Sequence, residues 1–241
     1  MGKYAGHKHA DYTRSSINMS VLHVDSVRRE IGGRCILNDV FMSCRRGEVI
    51  GLLGRNGAGK SSLLRIVFGS LAANQSFVSV DDRKTGGLYS SRKLIQYLPQ
   101  HKFLPEHLKV DVLISCFCGR SNARLLMEQD WIKPFLGRKP DALSTGERRM
   151  VEVGIILFSE AKFVLLDEPF NGIAPVHLEN IKKLITQNPF VKGIIITGQD
   201  YRNVMELSSR IILMQDGNTR EIKDPRDLIE YGYLPQTADL S

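Results

Sequence analysis

Nine consecutive residues, Gly54-Arg55-Asn56-Gly57-Ala58-Gly59-Lys60-Ser61-Ser62, bring glycines, a lysine and two hydroxyls into one short stretch. Their spacing fits G-x-x-x-x-G-K-[ST] in full, after the apolar run "EVIGLL" and ahead of the helix-like "KSSLLRIVFG". Glycines let backbone N–H groups turn inward around phosphate oxygens, and the N-terminus of the following helix adds its partial positive charge. Lys60 is expected to reach β- and γ-phosphates, and the Ser61 hydroxyl to ligate Mg²⁺. A loop of this kind holds a nucleotide triphosphate, with all nine residues in the binding set.

Two acids supply the second half of the chemistry. "FVLLDEP" reads as a buried strand that delivers Asp167 at its C-terminal end, where ligands of open α/β sheets sit. Asp167 is expected to hold Mg²⁺ through water. Glu168, one residue on, is the candidate general base that polarises an attacking water. Loop and acids together describe an ATPase that uses ATP and Mg²⁺.

The elements around these residues must form a parallel sheet. Val21–Val27 and "CILNDVFMSC" suggest two antiparallel strands near the N-terminus, and further short strands are expected near 77–80 and 94–98. Between Gln100 and Leu143 the apolar spacing turns helical, which predicts a small helical lobe at about 101–142. From Leu143 the order is helix, strand, helix, strand, helix, strand, ending on "RIILM". Strands alternating with helices argue for a sheet covered on both faces. The expected fold class is α/β: a P-loop core with a mostly parallel sheet, an N-terminal antiparallel β part and the helical lobe.

Bulk properties narrow the setting. The chain has 241 residues, 42% hydrophobic and 24% charged, which suits one globular domain over 19–241 after a flexible leader at 1–18. No apolar run approaches the length of a membrane span, and the N-terminus lacks a signal peptide's apolar core, so the expected location is the cytoplasm. Cys35, Cys44, Cys116 and Cys118 suit a reducing compartment, as small buried hydrophobes. A net charge of +7 is moderate, and no nucleic-acid partner is expected from it.

With these residues in place, the chain resembles the ATP-binding-cassette (ABC) family from about Leu22 to Ile222. "LSTGE" at 143–147 is similar to the family's signature loop, usually LSGGQ, and lies 24 residues before Asp167. Gln100, 40 residues after Lys60 in "YLPQ", matches the family's Q-loop glutamine, which the resemblance makes a contact of Mg²⁺ and nucleotide. The resemblance implies a head-to-tail dimer in which each ATP lies between one subunit's phosphate loop and the other's signature loop. Ser144 and Gly146 would then touch the γ-phosphate held by a partner, at a helix N-terminus. It also implies metal contacts by Ser61, Gln100 and Asp167, and catalytic roles for Glu168 and for the residue at the switch position.

Five positions depart from the family pattern. Gln199 in "IIITGQD" replaces the switch histidine, and glutamine can donate a hydrogen bond but carries no positive charge. Thr145 and Glu147 replace a glycine and the glutamine of the signature, Ala174 stands where an aspartate is common, and Ile31 takes the place of the aromatic that stacks on adenine. These changes predict slow hydrolysis. The leading expectation is the energy subunit of an ABC transporter. It would work with a second cassette, as homodimer or heterodimer, and with separate transmembrane permease subunits, on the inner face of the cell membrane. A soluble ABC ATPase of the cluster-assembly type and a regulatory cassette with little hydrolysis are the alternatives.

Overall fold

The computed structural model describes residues 20–85, 87–88 and 93–238, and the leader at 1–18 lies outside them. The chain opens with β1 (Val21–Ile31) and β2 (Arg34–Arg45), paired antiparallel across Gly32-Gly33. β3 (Val49–Leu53) crosses to a second sheet, and α1 (Lys60–Phe68) follows it. β4 (Gln75–Val80) returns to lie against β1, and a two-residue β5 (Arg83–Lys84) completes a four-stranded sheet in the order β2-β1-β4-β5.

The second sheet is built from β3, β6 (Ile95–Leu98), β7 (Phe163–Leu166), β8 (Gly193–Thr197), β9 (Arg210–Gln215) and β10 (Asn218–Ile222). Its order is β10-β9-β3-β8-β7-β6, and every pairing is parallel except the last hairpin, β9 with β10. β7 and β8 are buried along their whole length because layers cover both faces, which is why "FVLL" and "GIII" run on without polar alternation. One core, with Leu22, Leu37, Ile50, Leu63 and Phe163, fills the space between the two sheets and α1. The other, with Leu113, Val151, Ile155, Leu166, Ile181 and Ile196, lies on the opposite face.

That face is covered by α2 (Val110–Met127), α3 (Thr145–Phe158), α4 (Pro175–Thr186) and α5 (Tyr201–Leu207), and a single turn, α6 (Asp227–Glu230), follows β10. α2 is two helical segments that meet at a kink at Gly119. Two short 3-10 turns, Lys133–Phe135 and Pro140–Ala142, lead from the lobe to Leu143. None of the described helices is long and apolar enough to cross a membrane.

Two strands escaped the sequence pattern. β10 is a polar edge strand with Ile222 as its one buried residue, so it shows no apolar run. Its sign was the turn Asp216-Gly217, both residues at positive φ, as a tight hairpin requires. β5 is two exposed residues. The thiols also divide. Cys44 and Cys118 are buried as expected, but Cys35 and Cys116 are exposed. Burial pushes the Cys118 thiol up to about 12.

Candidate phosphate and acid site

The phosphate loop joins the end of β3 to the start of α1, next to the centre of the parallel sheet. Gly59 precedes α1 at φ 105, and a Cβ there would stand 2.8 Å from Leu37 Cδ2. Only glycine meets both conditions, so the helix starts with its N–H groups open to the loop. Lys60 is 5% exposed and donates from Nζ to the carbonyls of Gly54 (2.6 Å) and Arg55 (3.1 Å). Burial lowers its pKa, opposed by the charges of Glu168 and Asp167.

Ser61 ties this loop to the first acid, its Oγ donating to Asp167 Oδ1 at 3.0 Å. The Thr197 hydroxyl donates to the same oxygen at 2.9 Å and accepts the Glu168 N–H at 2.9 Å. The Tyr97 hydroxyl donates to Asp167 Oδ2 at 2.9 Å. Burial, reinforced by the Asp167 charge, raises the pKa of that phenol, so it remains a donor.

Glu168 is buried at φ 46, a left-handed conformation rare for a residue with a side chain. Its Oε2 receives three amide N–H donors: Gln100 at 2.8 Å, Asn171 at 3.2 Å and Gln199 at 3.2 Å. Gln100 and Gln199, selected from sequence, therefore both arrive at the acid. Lys60, Ser61, Ser62, Gln100, Glu168 and Gln199 face one another across a cavity of about 360 Å³, which Asn56, Gly57 and Gly59 also line. Arg55 and Ala58 instead line a larger neighbouring cavity of about 580 Å³.

The backbone that presents the two acids is held by Arg149 of α3. Its guanidinium donates to the carbonyls of Pro99 (2.9 Å), Asp167 (3.0 Å), Glu168 (3.2 Å) and Pro169 (3.3 Å), and pairs with Glu152 (3.1 Å). Sequence reading missed Arg149, Tyr97, Thr197 and Asn171. The one signal was position: Tyr97 and Thr197 lie in the last two residues of strands that the pattern had found, and Arg149 stands three residues after the Ser-Thr-Gly loop.

Ser144 and Gly146 are not among the described residues that line either cavity. Ser144 caps α3 by accepting the Glu147 N–H at 3.3 Å, while Glu147 Oε2 accepts the Ser144 N–H at 2.8 Å. That backbone N–H, first of all, lowers the Glu147 pKa. Gly146 is buried against His177, where a Cβ would come 2.3 Å from the ring. Ala174 precedes α4 with no side-chain cap, and Ile31 is 53% exposed and lines neither cavity.

The oxygen donors gathered here, the Ser61 hydroxyl, the Asp167 carboxylate and the Gln100 amide oxygen, are of the hard type that Mg²⁺ takes. No cluster of three or more His, Cys, Asp or Glu suited to a metal occurs among the described residues.

The profile of the family described as ABC transporter matches residues 37–171. The chain belongs to the ABC transporter family. The lipopolysaccharide export system ATP-binding protein LptB of Escherichia coli (strain K12) is 30% identical over 226 residues, 88% of this chain and 94% of the relative. A probable ABC transporter ATP-binding protein of Azorhizobium caulinodans is 32% identical over 214 residues, 83% of this chain and 76% of its own length. Among solved structures, an ATP-binding subunit of an ABC transporter superposes with a TM-score of 0.76 at 21% identity, covering 87% of this chain and 93% of that one. The fold is that of an ABC ATPase cassette, and the family is one of nucleotide-binding ATPases.

Proposed function

We propose that this cassette is the ATP-hydrolysing energy subunit of an ABC transporter, turning over slowly, with Glu168 as its general base. The observation that carries the reading is the convergence of Gln100, Asn171 and Gln199 on one oxygen of Glu168, across a cavity from Lys60 and Ser61. The phosphate loop, Gly54 to Ser62, wraps the triphosphate with its backbone N–H groups. Lys60, which holds the carbonyls of Gly54 and Arg55, would turn to phosphate oxygens, and the Ser61 hydroxyl beside Asp167 would be a ligand of the cation. Ser61, Asp167 and Gln100 would hold Mg²⁺, which would supply positive charge against the developing negative charge of the phosphates. Glu168 takes the proton of a water as its oxygen attacks the γ-phosphorus; the bond from that phosphorus to the β–γ bridging oxygen breaks, and ADP leaves with the electron pair. Gln199 donates to a γ-oxygen but brings no charge there, which is the physical ground for slow turnover.

Each ATP is completed by Ser144 and Gly146 of a second cassette, in a homodimer or a heterodimer. Neither residue lines the cavity around Lys60, and both stand at the capped N-terminus of α3, the end that carries positive potential. The named relative belongs to a lipopolysaccharide export system, so the dimer is read as serving separate permease subunits from the inner face of the cell membrane.

Phosphate release from the full chain with Mg²⁺-ATP tests the reading, with Glu168→Gln as the blank. Loss of the base is expected to lower the rate by about 10² or more while ATP binding persists. A wild-type rate equal to the blank would overturn it.

A further inference from the structure

The cavity of about 360 Å³ at Lys60 does not end at the phosphate loop. Ile36, Asn56 and Gly57 also line the adjoining cavity of about 580 Å³, within the range of small-molecule sites. Arg34, Cys35 and Ile36 line the larger cavity, together with Tyr231-Gly232-Tyr233, the turn after α6. This turn is built in. Buried Leu228 and Leu234 anchor it, Gly232 O accepts from Arg55 Nη2 at 2.8 Å, and the Gly54 backbone hydrogen-bonds the Tyr233 hydroxyl. The Tyr231 ring is backed by the Arg220 guanidinium, 4.2 Å from its centroid. Ile31, where the family's base-stacking aromatic would stand, lines neither of these two cavities and is half exposed.

We propose that the larger cavity takes the base and ribose of the nucleotide, and that Tyr231 of the C-terminal turn supplies the aromatic face on which the purine stacks. The inference rests on the reading that the phosphate loop holds the triphosphate. A ring backed by a guanidinium on one side is a rigid platform for a base on the other, and stacking of this kind tolerates any base while favouring large ones. It gives this cassette a base contact from the far end of the chain, distant in sequence from the β1–β2 hairpin.

The test compares Mg²⁺-ATP with Mg²⁺-tripolyphosphate, which has the phosphates and no base, by calorimetric titration of the full chain carrying Glu168→Gln to stop turnover. ATP is expected to bind at least about tenfold more tightly than tripolyphosphate. Adding Tyr231→Leu is expected to remove about tenfold from ATP affinity and nothing from tripolyphosphate, and Tyr231→Phe to restore ATP. Thermal melting of each variant controls for folding. Equal affinities for the two ligands, an unchanged ATP affinity in Tyr231→Leu, or an equal loss for both ligands would each overturn the base site while leaving the phosphate site standing. Absence of tripolyphosphate binding would instead remove the phosphate reading, and this inference with it.

Discussion

Glu168 is surrounded by amides where a charged switch residue is usual in the family it belongs to. Gln100, Asn171 and Gln199 all donate to its Oε2, so the acid is held in position by neutral groups alone at these contacts. Restoring a cation at the switch should therefore be felt in the rate. Gln199→His is expected to raise phosphate release by about tenfold or more, since one preorganised group near developing charge is worth about 10²–10³. A histidine variant no faster than wild type would assign the slow step elsewhere. The residues legible in the sequence, Lys60, Ser61, Gln100, Asp167, Glu168 and Gln199, share a property: each occupies a fixed offset from a glycine loop or a strand end. Tyr97 and Thr197 were not legible, because their types are ordinary and their partner Asp167 is 70 and 30 residues away. Only the folded sheet, with β6 and β8 on either side of β7, brings them to it.

At the scale of elements, α3 links the loop at Ser144 to the acids at the end of β7. It buries Arg148, Arg149 and Glu152 in an otherwise apolar helix, and Arg149 spans the entry to Gln100 and the backbone of both acids. Lysine cannot replace it. Its three donors radiate from one atom, whereas the guanidinium forks across five acceptors. Arg149→Lys is expected to cost about 2–4 kcal/mol of stability, from buried carbonyls left unpaired, read as a lower urea midpoint. It should also cut hydrolysis more than ATP binding, because Glu168 loses the support of its left-handed backbone. The apolar strands β7 and β8 were plain in the sequence because both faces are covered. β10 was hidden by the converse, an edge position that leaves most of its side chains in water.

Across the whole molecule, the phosphate loop and the Ser-Thr-Gly loop stand apart. Lys60 and Glu168 face one cavity, and Ser144 is exposed at the N-terminus of α3 outside it. On the proposed reading, a second copy or a related cassette closes over ATP. The Glu168→Gln chain is expected to sediment as a dimer with Mg²⁺-ATP and as a monomer without it. Ser144→Glu in that background should keep it monomeric, since a carboxylate would face the γ-phosphate. Dimers that form regardless of ATP or of Ser144→Glu would point to a different interface. The sequence announced the two sheets and the helical lobe through periodicity, but not the wall formed by Tyr231 and Tyr233, which depends on a turn that follows the last strand.

The lysine of the phosphate loop is also a clasp. Lys60 grips the Arg55 carbonyl, and the Arg55 side chain grips Gly232. Through Arg55, the phosphate loop is thereby joined to the turn that follows α6. A substitution at Arg55 would therefore be felt at both ends of the chain's core, in the grip on phosphate and in the seating of the final residues described.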